Sequence, residues 1–350
     1  MNPANAAISR ALRRSDYFRR SPAAVGGPGG HKEWMHFCVY SEAVDVLINI
    51  SFVDDLHSVD AARPASLGRW ILLARTDGWH GDIDTYADES EISVFAGQLD
   101  ARLGDNEVRF LDGVYELRGA LRDRPLAVDL RLEPVTFPSL VHNVQVEDGP
   151  PIHWLVLPRL LASGTITVGS RTFPVLQAPA YHDHNWGHFG WGRDFAWEWG
   201  FGLPADPEVP WSVVFVRLGD RMRTRSMMQG LMLWKNARQH RLLRDHEVAV
   251  RHEGLLRPAR LFKVPGVMGL VSPGLATDIP QRTIITARSG DDHLAVVFDA
   301  EDVAQVILPN DADLGVTIIN EVAGALVVEG RVRGEAVHMS GRTIFEYLGA

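Results

Sequence analysis

The feature that most constrains this chain is an alternation of apolar and polar residues with a period of two, repeated in short runs along most of its length. Within residues 126–132, Val128, Leu130 and Leu132 fall to one side, and Asp129 and Arg131 to the other. That period places successive side chains on opposite faces of a strand. Further strand-like runs cover 38–52, 70–75, 91–99, 108–117, 211–218, 227–234, 248–252, 283–287, 294–298, 315–319, 325–333 and 341–347. Turn formers separate several of them, as at Asp77-Gly78, Gly104-Asp105-Asn106 and Asp112-Gly113. Helical periodicity is confined to 5–14 and, weakly, to 158–162. Many short strands at regular spacing predict an all-β chain of antiparallel sandwiches or barrels, and a barrel removes exposed strand edges.

At 350 residues the chain is long enough for two domains, each burying its own core. Pro174 and Pro179 bracket an extended stretch, which puts the expected boundary at 178/179. The reading is a first β domain over 31–178 and a second over 179–350. Residues 1–30 precede them as a flexible arm, with Arg10, Arg13, Arg14, Arg19 and Arg20 and a closing Gly26-Gly27-Pro28-Gly29-Gly30. The arm lacks the apolar block of a secretory signal. The formal net charge of -9 argues against chain-wide affinity for nucleic acid or anionic lipid, though not against a local basic patch. No run approaches the ~18 apolar residues of a spanning helix, which leaves room only for transient membrane contact. The single cysteine, Cys38, has no partner for an intramolecular disulfide and suits a reducing cytoplasm, the expected location.

Residues 181–202 stand apart. They read YHDHNWGHFGWGRDFAWEWGFG and hold four of the ten tryptophans and three histidines. As a strand, Tyr181, Asp183 and Asn185 share one face, and His182, His184 and Trp186 the other. Farther on, Phe195, Trp197, Trp199 and Phe201 lie opposite Ala196, Glu198 and Gly200. Four aromatics on one face read equally as plain core. The adjoining polar cluster tips the reading toward a binding pocket, because such groups are costly to bury without a partner or a task.

The run Tyr181-His182-Asp183-His184-Asn185-Trp186-Gly187 resembles the Y-x-D-H-x-W-G signature of the carotenoid 1,2-hydratase family. Tocopherol-cyclase-like proteins and lipocalin-like Diels–Alderases are its relatives. Lys32-Glu33-Trp34-Met35-His36-Phe37 is similar to that family's first-barrel opening, and 341–347 to its closing strand. The resemblance spans 31–348. It implies two lipocalin-like antiparallel barrels and an apolar polyene or terpenoid substrate, and it leaves the reaction open among hydration, cyclisation and shaping of a substrate.

Hydration or cyclisation of an alkene begins with a proton delivered to carbon by an acid still protonated near neutral pH. Burial among apolar groups raises a carboxyl pKa toward that range. Asp183 is the first candidate and Glu198, between Trp197 and Trp199, the second, with His184 and Tyr181 beside Asp183. Glu33, Trp34, His182, Asn185, Trp186, Trp191, Trp197 and Trp199 are the expected substrate-contacting residues. Two other readings stand beside this one. A pericyclase would fold a polyene by positioning alone, and a carrier would bind an apolar ligand unchanged. His182, His184 and His188 have a spacing that permits zinc, but the resemblance points away from metal. His80, Asp82 and Asp84, and likewise Arg221, Arg223 and Arg225, read as solvated faces. Nucleophile elbow, phosphate loop and dinucleotide fingerprint are all missing, so no cofactor is expected. Oligomeric state is not written in the sequence.

Overall fold

The computed structural model describes residues 3–19, 30–54, 66–144, 151–190, 195–275, 277–311 and 314–349. The chain divides into two compact units: residues 1–191 with 311–313, and residues 192–310 with 314–350. Both are antiparallel sheets, as the period of two predicts.

Twelve strands of the described residues form the first sheet. Its hydrogen-bonded order is Trp79–Tyr86, Ser66–Arg75, Asp45–Asp54, His31–Tyr40, Arg171–His188, Ile152–Val168, Leu126–Pro134, Val114–Ala120, Asn106–Leu111, Asp100–Leu103 and Ile92–Val94. Ser139–Val144 pairs separately with Ile152–Val168. The curved sheet wraps a core of Phe37, Ile48, Trp70, Tyr115, Leu130 and Leu157, among others.

The expected boundary at 178/179 is corrected. Arg171–His188 is one continuous strand, pairing with both His31–Tyr40 and Ile152–Val168. Pro174 and Pro179 are tolerated because they fall in its first part, which is paired only with Ile152–Val168: the ladder to His31–Tyr40 begins at Ala180, and the other edge of 171–179 needs no N–H. The whole Tyr181–Gly187 motif therefore belongs to the first unit.

The flexible arm is corrected as well. Pro3–Ser15 is a helix, and Ile8, Leu12 and Phe18 are buried in the core of the first unit. Residues 20–29, including the glycine-rich run, lie outside the described residues. The weak helical signal at 158–162 is strand, part of Ile152–Val168.

Ten strands of the described residues form the second sheet. Its order is Arg238–Arg244, Ser226–Lys235, Trp211–Gly219, Ala196–Gly202, Glu335–Gly349, Val316–Val332, Asp292–Pro309, Pro280–Ser289 and Val248–Leu255, with Phe262–Val264 parallel to Asp292–Pro309. The two edge strands, Arg238–Arg244 and Val248–Leu255, are joined by the single 3-10 turn Asp245–Glu247. Gln229 Nε2 also donates across the seam to the Val248 carbonyl at 2.7 Å. The sheet thus all but closes into a barrel, which leaves little free edge. Its core holds Trp211, Phe215, Leu231, Phe298, Phe345 and Tyr347.

Candidate functional site

The strand Arg171–His188 turns its alternate side chains to opposite faces. His182, His184 and Trp186 pair in register with Phe37, Met35 and Glu33, and so share the interior face of the first sheet. There His184 bridges two carboxylates: Nδ1 is 2.8 Å from Asp16 Oδ1, and Nε2 is 2.8 Å from Glu33 Oε1. His182 Nδ1 donates to the His36 carbonyl at 3.0 Å, and its Nε2 lies 2.9 Å from Asp16 Oδ2. The Tyr115 hydroxyl also bonds Asp16. Glu33 accepts the backbone N–H of Arg19 on both oxygens and contacts His31 Nε2 at 3.1 Å. Arg19 itself lies over the Trp186 ring at 3.6 Å.

Every member of this network is held by another. Both nitrogens of each histidine are engaged, which leaves neither imidazole a lone pair for zinc. The histidine hydrogen bonds and charges hold the Asp16 and Glu33 carboxyls below their ordinary range, against the desolvation that would raise them. The same two carboxylates raise His184 despite its burial. Glu33, His182 and Trp186, expected at substrate, and His184, expected beside the acid, thus all fasten residues 16–19 inside the first sheet. His184 is a bridging cation there rather than a neighbour of Asp183. Asp16 gave no sequence signal, because it sits just past the helix in a segment read as an arm.

The other face of the strand carries Tyr181, Asp183 and Asn185, as the alternation predicts. Asp183 Oδ2 accepts from Trp154 Nε1 and from the Tyr181 hydroxyl, each at 3.0 Å, and Oδ1 accepts from Asn185 Nδ2 at 3.2 Å. Three donors thus converge on the Asp183 carboxyl and fix its orientation. Trp34 is on this face too, edge-on to Phe189 with centroids 6.0 Å apart. Trp191 lies outside the described residues.

In the second unit Ala196–Gly202 alternates as expected. Trp197, Trp199 and Phe201 point to one face, and Glu198 and Gly200 to the other. Glu198 is in register with Tyr347, and Gly200 with Phe345. Gly200 is required, since a Cβ there would stand 2.3 Å from the Phe345 ring. Glu198 therefore points away from its flanking indoles and into a cationic nest. Its carboxyl lies 3.5 Å from Arg217 Nη1, 3.2 Å from Arg223 Nε and 3.2 Å from His252 Nε2. Burial pushes this carboxyl up, but these three neighbours hold it below the ordinary glutamate range. The niche beside it, about 10 Å³, has room for one water. Glu198 is held as an anion, contrary to the protonated acid its tryptophan neighbours suggest.

The acid that the chemistry asks for lies on the aromatic face instead. Glu346 is the register partner of Trp199 and of Glu321. It accepts from Trp197 Nε1 and shares a hydrogen bond with the Glu321 carboxyl. Two carboxyls can bond each other only if one keeps its proton. Burial is the larger influence and pushes Glu346 up to about 6. Sequence reasoning missed both glutamates. The available signal was an isolated Glu between Phe345 and Tyr347 in the closing apolar strand.

Of the other groups singled out from sequence, Asp82 pairs with Arg124 at 3.2 Å, and Asp84 accepts from the Arg122 backbone at 2.8 Å. The first is a partly solvated ion pair and the second a backbone hydrogen bond.

No protein-family model matches the sequence, and no curated protein does. Solved structures match it in fold. A candidate AttH from Nitrosomonas europaea superposes with a TM-score of 0.64 at 16% identity, covering 92% of this chain and 93% of its own. Kievitone hydratase from Nectria haematococca gives 0.58 at 14%, covering 95% and 93%. CghA, in complex with Sch210972, gives 0.56 at 12%, covering 92% and 89%. The fold is theirs. It is the lipocalin-like antiparallel architecture that the Tyr181–Gly187 motif implies, with the second unit nearly closed into a barrel, shared along nearly the whole length at low identity.

Proposed function

We propose that the chain is an enzyme of the hydratase or cyclase kind, acting on an apolar unsaturated small molecule by protonating a C=C bond, with Glu346 as the acid. The observation that carries this is the Glu346–Glu321 pair beside Trp197 and Trp199: a carboxyl raised to about 6, bonded to one indole N–H and in register with a second tryptophan. The Glu346 O–H proton goes to one alkene carbon, and the π pair becomes the new C–H bond. The resulting cation is stabilised by aromatic faces, each worth roughly 0.5–2 kcal/mol. Water then adds and loses a proton, or a second C=C closes a ring and a proton leaves. Either way one proton is returned, and it restores the acid form of Glu346 beside Glu321. The kinship in fold with a protein named as a hydratase supports this reading by analogy.

The test is incubation of the purified chain with isoprenoid and polyketide extracts in deuterated water, beside Glu346→Gln. A product carrying deuterium on a new C–H bond, absent with the variant, is the expected result. A rearranged product without deuterium would show a pericyclic reaction and sink the acid assignment. A ligand recovered unchanged would leave a carrier.

A further inference from the structure

One end of the second barrel carries an apolar surface that the proposed chemistry does not use. Phe262–Val264 and Asp292–Pro309 run parallel, so the segment after Val264 emerges where Asp292–Pro309 ends. Trp211–Gly219 ends there too: Arg223 Nη1, in the loop that follows it, donates to the Asp278 carbonyl at 3.1 Å, and Arg221 Nη2 reaches Thr317 Oγ1 at 3.2 Å.

The segment after Val264 forms the one-turn helix Met268–Val271. Leu270 and Val271 are 85% and 71% exposed, and Val267 and Met222 are also well out in solvent. Single exposed apolar residues need no explanation. Three apolar side chains crowded on one tip do. The tip has a fixed shape: the buried Lys263 Nζ donates to the Ser272 and Gly274 carbonyls, the latter at 2.7 Å, and Val271 N donates to the Val267 carbonyl at 3.3 Å.

Charge around the tip runs against the rest of the molecule. Residues 220–225 and 256–279 hold six basic and two acidic residues in a chain of net charge -9, and the connection 310–315 at the same end adds Asp311 and Asp313, so this end stays net basic. Arg225, Arg257 and Arg260 are exposed. One of these acids, Asp220, is engaged by Thr224 and by the backbone N–H of Arg225.

We propose that this end of the second barrel is a docking surface for an anionic lipid membrane, with Val267, Leu270 and Val271 entering the interface and Arg257 and Arg260 meeting the headgroups. Apolar insertion combined with basic attraction is what peripheral attachment requires. It also fits a substrate that dissolves in lipid rather than water. The proposal deepens the reading above in that one respect only, since lipid binding is measured without any substrate.

The experiment is co-sedimentation of the full chain with vesicles of phosphatidylglycerol and phosphatidylcholine, against vesicles of phosphatidylcholine alone. Binding to the anionic vesicles, weakening with salt, is expected. The double variant Leu270→Glu/Val271→Glu should lose at least tenfold in bound fraction with an unchanged melting temperature. Arg257→Glu/Arg260→Glu should lose the preference for phosphatidylglycerol, and Glu346→Gln should bind as the parent does. Failure of the parent to sediment would overturn the proposal, as would equal binding by the Leu270/Val271 double variant. A parent dimer that this variant turns into a monomer, with no vesicle binding, would assign the surface to a second copy of the chain instead.

Discussion

The molecule buries two carboxyl clusters, one in each unit, and treats them in opposite ways. In the first, Asp16 and Glu33 face His184 across 2.8 Å contacts, with His182, His31 and the Arg19 backbone around them. In the second, Glu346 faces another carboxyl, Glu321, and an indole N–H. Both clusters are desolvated. The first is pulled into its ionised form and the second is held protonated to about 6. Burial alone does not make an acid; the partner decides, because desolvation and pairing act with opposite sign.

Four outcomes test that contrast. The largest expected effect is on turnover: Glu346→Gln should lower it by about 10²–10⁴-fold, the usual worth of a general acid. Its stability, read by urea unfolding, should change by less than about 1 kcal/mol, because an amide replaces a neutral acid with a similar shape. Equal loss of stability and activity would erase the distinction between the clusters.

Next, His184→Ala should leave Asp16 and Glu33 buried without their bridge. It should cost about 3–5 kcal/mol in the same unfolding experiment. A variant as stable as the parent would show that the network is not what fastens the N-terminal segment.

The pH dependence should also differ between the two. Asp16 and Glu33 are lowered in the folded chain, so their contribution is present above their unfolded values near 3.8 and 4.5 and is lost as pH falls through the folded ones. His184 is raised, so its contribution is full below its unfolded value of 6.5 and fades as pH rises through the folded one. Glu346 is raised too, so what it contributes is full below 4.5 and is lost as pH rises through about 6. The first cluster should therefore be steadiest between roughly pH 5 and 6.5, while kcat/KM should fall above about pH 6 as Glu346 ionises. A rate that climbs with pH through that range would mark a base rather than an acid.

The smallest effect belongs to Asp183. Asp183→Asn keeps the shape but turns one carboxyl oxygen that accepts from Tyr181, Trp154 or Asn185 into an amide donor, at a cost of about 0.5–1.5 kcal/mol in stability. It should still place deuterium in the product. Loss of the deuterium label with Asp183→Asn and its retention with Glu346→Gln would exchange their roles.

Much of this was legible in the sequence. The period of two gave the strands, and strict alternation put Trp197 and Trp199 opposite Glu198 and put Asp183 on a face with Tyr181 and Asn185. Those are local facts, fixed by neighbours in the chain. What escaped depended on partners far away. Glu346 matters because Glu321 is its cross-strand neighbour, and Asp16 because two histidines meet it from the far end of the first unit. Pro174 and Pro179 misled for a related reason: a strand edge without a neighbour tolerates prolines, and where His31–Tyr40 stops pairing, at Ala180, leaves no mark that a single sequence displays.

The fastening of the N-terminal segment also has a consequence in time. Asp16 meets His182 across a separation of 166 residues. At a synthesis rate of 5–20 residues per second, a ribosome takes roughly ten to thirty seconds to make the intervening chain. Through that interval Ile8, Leu12 and Phe18 have no finished interior to enter, and an unpaired Asp16 has no histidine to answer it. The first unit can close only when Arg171–His188 arrives between its two neighbours. Its birth is therefore slow and late, and the nascent chain is exposed to aggregation for as long as that last strand is missing.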